Sequence, residues 1–152
     1  MPLLTAVIIL GFLAVFCFIY INSTKSTSYD DLLKSKLSNI RTEANIYYNT
    51  LNNFGTVKSG PSATACFKDD TIFKNDVIIA RQLGAAQAYG GGLSSCANTI
   101  GSGGRWAIIV QLKSDPTVAW CVDSVNNSKQ VSLESGTQQI ELDDKIKAAF
   151  CP

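Results

Sequence analysis

The sequence predicts an α+β fold: a long N-terminal helix packed on a small antiparallel β-sheet, with a disulfide-clamped C-terminal segment. Three observations predict it. An uncharged apolar run opens the chain and passes into a one-sided helical stripe. Between Arg105 and Leu133 the apolar period changes to two. Four cysteines fall in the polar part of the chain.

The 152 residues are 46% hydrophobic and 16% charged. Every charged side chain lies at or after Lys25. From Leu3 to Ile21 the chain reads LLTAVIILGFLAVFCFIYI, nineteen residues in which only Thr5 and Gly11 depart from apolar types of medium or large size. As a helix this run is about 28 Å long, close to the roughly 30 Å of a bilayer's hydrocarbon core. It exceeds a signal-peptide core of about 7–15 residues. A helix that is apolar all round needs lipid or other helices on every side. The run therefore predicts a membrane-spanning segment over 1–24. Tyr20 at its end fits an interfacial aromatic, and Cys17 within it fits a small unpaired hydrophobe.

Asn22 to Tyr29 (NSTKSTSY) is polar and a poor helix former, which predicts a local weakening. Leu33, Leu37, Ile40, Ala44, Tyr47 and Leu51 then recur at steps of four, three, four, three and four. That spacing predicts an amphipathic half-helix over 25–54, stopping near Gly55 and packing its stripe on the sheet. The remainder, 55–152, reads as an α+β head.

In the head, GTVKSGPSATACFKDD (55–70) reads as a loop. Asp70 or Thr71 can cap a helix running to about Tyr89, where Gly90, Gly91 and Gly92 end it. LSSCANTIGSGG (93–104) reads as a second loop. Trp106, Ile108, Val110 and Leu112 then share one strand face, as do Val118, Trp120 and Val122, with a turn at Ser114–Thr117 between them. After a second turn, Lys129–Leu133 makes a third strand. The result is a meander with one apolar face and one more polar face, and the stripe of the N-terminal helix, with Trp106 and Trp120 facing it, is the natural cover. Ile140, Leu142, Ile146 and Phe150 predict a short helix over 142–149.

Cys66, Cys96, Cys121 and Cys151 lack the close spacing of a zinc or redox centre, and disulfides place the head in an oxidising, extracytoplasmic compartment. Of three possible pairings, joining sequence neighbours gives Cys66–Cys96 and Cys121–Cys151. Each loop of about thirty residues is worth roughly 3–4 kcal/mol in the chain-entropy model. Lys25 is the nearest positive charge to the apolar run and lies on its far side. The simplest expectation consistent with an external head is that a basic leader has been removed and that Met1 is the mature N-terminus.

Composition also excludes functions. Thirteen Lys/Arg against twelve Asp/Glu give +1, without the basic excess of a nucleic-acid binder. There is no His, so imidazole chemistry is absent and Ser94, Ser95 and Ser102 have no base partner. The pairs Asp30-Asp31, Asp69-Asp70 and Asp143-Asp144 fall near expected helix starts, where negative charge suits the dipole. A loop such as Lys113–Thr117 is the most that could hold calcium weakly, and no EF-hand spacing is present. The glycine clusters at 90–92 and 101–104 do not sit between a strand and a following helix, as phosphate-binding loops do. Asn22-Ser23-Thr24 and Asn126-Asn127-Ser128 fit the weak three-residue N-x-S/T pattern. The expectation is a protein that is not an enzyme and needs no cofactor and no metal.

This layout resembles the type IV pilin family, the subunits of bacterial surface filaments. Leu37 to Tyr48 (LSNIRTEANIYY) is similar to the second half of the pilin helix, where a Leu-Ser-x-Ile-Arg stretch leads into an aromatic pair. WCVDS (120–124), followed by Cys151 and Pro152, is similar to pilins of small-genome candidate-phylum bacteria. The resemblance covers almost the whole chain. It implies a homo-oligomeric helical filament built through the N-terminal helix, held in the inner membrane before assembly, put together by pilus assembly machinery, and exposed on the cell surface for adhesion, motility or DNA uptake. It implies filament-core roles for Met1, Thr5, Ala6, Gly11 and Ala14, the small positions allowing close helix approach. Pilins usually carry a glutamate at the fifth position, thought to neutralise a neighbour's N-terminal amine; here Thr5 offers a hydroxyl and no charge. Members without it include tip-located minor pilins and type II secretion pseudopilins, which stand as alternatives beside an anchored binding domain that does not polymerise.

Overall fold

The computed structural model describes residues 2–101, 103–135 and 138–152, the side chains of residues 2–10, 12 and 14–25 excepted. The chain is α+β, a long N-terminal helix on a five-stranded antiparallel sheet with two disulfides. Helix α1 (Pro2–Leu51) is unbroken for 50 residues, about 75 Å at 1.5 Å per residue. The weakening expected at Asn22–Ser28 is absent. Helix propagation adds one hydrogen bond for each residue fixed, so strong segments on both sides carry a weak one through. The helix stops at Leu51, before Gly55: Asn52 takes the left-handed conformation (φ 55°) and its N–H bonds the Tyr48 carbonyl at 2.7 Å. Gly55 instead lets two segments approach, since a Cβ there would lie 2.5 Å from the Asp70 carbonyl oxygen.

The sheet runs β1 (Ser59–Ser62), β2 (Ser94–Asn98), β3 (Trp106–Gln111), β4 (Val118–Asp123), β5 (Ser128–Ser132), each strand pairing with the next. The expected meander is β3–β5, with β5 one residue earlier than predicted. Strands β1 and β2 occupy stretches expected to be loops. All five β2 residues are buried, so SSCAN shows no alternation to read. SGPS of β1 carries a glycine and a proline, which an edge strand tolerates.

The helix expected over 71–89 is two: α2 (Ile72–Asn75) and α3 (Val77–Tyr89). Asp76 is extended between them, and its Oδ1 accepts the N–H groups of Ile78 and Ile79, each at 2.8 Å. Helix α4 (Gln139–Lys145) starts and ends earlier than the 142–149 expected, and Ala149 is left-handed at φ 55°.

Helices α1 and α3 cover one sheet face, burying Cys96, Trp106, Ile108, Val110 and Val122 with Leu33, Leu37, Ile40 and Ala44. The second face is not polar. Ala97, Ala107, Ile109, Ala119 and Cys121 pack there with Leu142, Ile146, Ala149 and Cys151, so α4 and the end of the chain form a third layer. This is why all six β3 residues are buried. Among the described residues no helix is long and apolar enough to cross a membrane. The apolar side chains of residues 3–21 lie outside them, Gly11 and Leu13 excepted.

Candidate functional site

Among the described residues no group of three or more Cys, Asp or Glu gathers where it could hold a metal ion. Two of the three carboxylate pairs do not sit near helix starts as expected. Asp30-Asp31 lies within α1 and Asp143-Asp144 at the end of α4, while Asp69-Asp70 precedes α2, whose N-cap is Thr71. The features that distinguish the head are the α1 seam, the disulfide clamps and its two ends.

Along the seam, Leu33, Leu37, Ile40 and Ala44 are buried against the sheet, and Tyr47 is partly buried on the same core. Leu51 departs from the expected stripe: it is 50% exposed. Tyr48 turns toward the core in the last turns, its ring 4.7 Å from that of Phe54. Trp106 is fully buried, and Trp120 is partly buried with the Lys34 ammonium 5.1 Å over its ring. Met1 lies outside the described residues. Thr5, Ala6 and Ala14 are on α1, with side chains outside them, as is that of Cys17. Gly11 is exposed, with nothing within 4 Å of a Cβ built there.

The disulfides are Cys66–Cys96 and Cys121–Cys151. The first ties the 3-10 turn Thr64–Phe67 to β2 on the helix-covered face. The second fixes the end of the chain to β4 on the opposite face. Asp123, fully buried, reinforces the second clamp: its carboxylate accepts the N–H groups of Val125, Asn127 and Cys151 and the Asn127 side-chain amide, all within 3.0 Å. Three of these bonds are local to the β4–β5 turn, so the turn prepares the acceptor that receives Cys151.

At one end of the head α1 runs on toward Pro2. Here Asp30, 3% exposed, accepts the backbone N–H of Lys113 at 2.8 Å and that of Ser114 at 3.3 Å, and also the Ser114 hydroxyl. Tyr29 stacks on Tyr89, and the Lys113 ammonium lies 4.5 Å over the Tyr29 ring. The β3–β4 turn is thereby fixed to the helix. Asp115 stands exposed on that turn, its Oδ1 accepting the Thr117 hydroxyl at 2.6 Å and N–H at 2.8 Å. The hydroxyl bond, then the N–H bond, holds its carboxyl below the ordinary value.

At the opposite end, the last turns of α1 and the loops after β2 and β4 enclose an open cleft of about 480 Å³, lined by Asn45, Tyr48, Asn49, Phe54, Arg105 and Ser124 among others. Arg41 reaches the Asn126 carbonyl nearby at 3.3 Å. Arg105 is exposed, lies 6.0 Å from the Phe150 ring, and faces no carboxylate among the described residues.

The sequence marked Asp30 only as one of a helix-start carboxylate pair and did not single out Asp123 or Arg105. A buried carboxylate that collects backbone N–H groups from distant segments leaves no short motif. The chain matches no family model, no curated protein and no solved structure.

Proposed function

We propose that this chain is a structural subunit that polymerises through α1 into a type IV pilus-like filament on the cell surface, with no enzymatic activity and no cofactor. The observation that carries the reading is α1 itself. Of the side chains described along this 50-residue helix, Leu13 is exposed, whereas Asp30, Leu33, Leu37, Ile40 and Ala44 are buried in the head. The apolar sequence of 3–21 lies on the half of α1 that precedes Asp30. Such a stem suits lipid before assembly and neighbouring stems afterward. Because lipid is already apolar, the exchange gains little hydrophobic energy and depends on packing at small positions such as Ala6, Gly11 and Ala14. The head, stapled by two disulfides and covered on both sheet faces, suits an extracytoplasmic surface.

Mechanical shearing of the source cells, followed by sedimentation and mass spectrometry of the fibrous fraction, tests the proposal. The chain is expected as the dominant protein of that fraction. Its presence as a trace component in filaments of another protein would favour the minor-pilin reading, for which Thr5 speaks. Its retention in the membrane as a monomer would overturn polymerisation.

A further inference from the structure

One end of the head presents Asp115 and the other Arg105, neither in an ion pair among the described residues. Asp30 lies beside the Asp115 turn and Asn49 lines the Arg105 cleft. Nineteen residues separate them along α1, about 28 Å of helix. The two features therefore cannot meet within one head. Among the described residues, the Asp115 carboxylate bonds its own turn through Thr117, and the lining of the cleft holds Arg105 and no acid. We propose that the Asp115 turn of one copy seats in the Arg105 cleft of the next copy, joining heads end to end along the helix direction. This rests on the filament reading above.

Three features of the cleft fit that occupant. Its donors are an exposed guanidinium and the amides of Asn45 and Asn49, which suit a carboxylate. Tyr48, beside buried Phe54, offers an aromatic surface for the exposed ring of Pro116, which follows Asp115. Val125, 51% exposed at the rim, is apolar surface a partner would cover. The turn is also presented rigidly. Asp30 anchors it to α1, and two hydrogen bonds from Thr117 hold the Asp115 carboxylate in place. A contact between two different patches is heterologous, and when its rotation does not close it generates a helical filament. Rim charges of this kind chiefly set register and partner choice rather than overall affinity.

Charge reversal tests the contact. Arg105→Glu and Asp115→Lys are each expected to lower the yield of sheared filament about tenfold, equivalent to about 1.4 kcal/mol. The double exchange is expected to restore most of it. Both positions are exposed, and formation of both disulfides in each variant checks that the head folds. As a second measurement, Arg105→Lys keeps the charge and supplies an amine that a carbodiimide can couple to a neighbour's carboxylate. Mass spectrometry should find the cross-link between positions 105 and 115 of different copies. Wild-type filaments together with unaffected single reversals, an unrestored double exchange, or coupling of position 105 to a different carboxylate would overturn the contact and leave the filament reading standing. Absence of wild-type filaments would overturn both.

Discussion

Asp30 of α1 accepts the backbone N–H of Lys113 at 2.8 Å across 83 residues of sequence. With the Ser114 N–H and hydroxyl on the same carboxylate, this bond fixes the β3–β4 turn to α1. The group is 3% exposed, so its donors have little water to turn to when it is removed. Asp30→Ala is expected to lower stability by about 1–3 kcal/mol. Asp30→Asn, which keeps an acceptor oxygen, should lose less. Urea unfolding of the detergent-solubilised chain measures both, and a double-mutant cycle with Ser114→Ala isolates the side-chain contact.

Asp123 should be less tolerant. It is fully buried and serves four donors, among them the Cys151 N–H at 2.8 Å. Asp123→Ala is expected to cost about 2–4 kcal/mol. Because the carboxylate receives Cys151, the variant should also slow closure of Cys121–Cys151 during oxidative refolding and leave Cys66–Cys96 closure near the wild-type rate. Mass spectrometry of quenched, alkylated intermediates reads the two separately.

Two glycines should respond with opposite sign. Gly84 lies exposed within α3, and a Cβ there meets nothing within 4 Å. Gly84→Ala should stabilise by about 0.5–1 kcal/mol through helix propensity. Gly90 ends α3 against β3, and a Cβ would lie 2.7 Å from Val110 Cγ1 and 2.9 Å from the Gln111 carbonyl oxygen. Gly90→Ala should destabilise by about 1–3 kcal/mol. Thermal unfolding at a fixed detergent concentration compares the pair.

Asp115 should titrate below the ordinary aspartate value of 3.8, because Thr117 donates two hydrogen bonds to its ionised form. A lowered folded-state value means that its contribution to stability is present above the unfolded value and is lost as pH falls through the folded one. The affected window therefore lies at and below about pH 4. Carboxyl-carbon NMR follows the titration directly, and Thr117→Val should return it toward the ordinary value.

Where the apolar pattern was one-sided, the sequence was legible. The steps from Leu33 to Ala44 became the α1 seam, and alternation in WAIIVQL and VAWCVD became β3 and β4. Cysteine order was enough to anticipate both disulfides. Where burial was two-sided or local, it was not. Strand β2 is buried throughout and shows no period. The third layer, α4, reads ambiguously because its apolar residues cover a face already lined by small side chains, Ala97, Ala107 and Ala119. The break at Asp76 was hidden because Ile72, Phe73 and Val77 keep a helical spacing across it. Asp30 was read as a helix-start charge because the adjoining polar stretch looked like an interruption, whereas α1 is continuous there. The two ends of the head depend on contacts between distant segments, which no local spacing encodes.

Electron cryo-microscopy of filaments sheared from the source cells tests the central claim most directly. The account predicts a repeating subunit whose side chains fit this sequence, with α1 stems bundled at the centre and heads outside. A map built from another protein, or a chain that stays monomeric in the membrane while no filament forms, would contradict it.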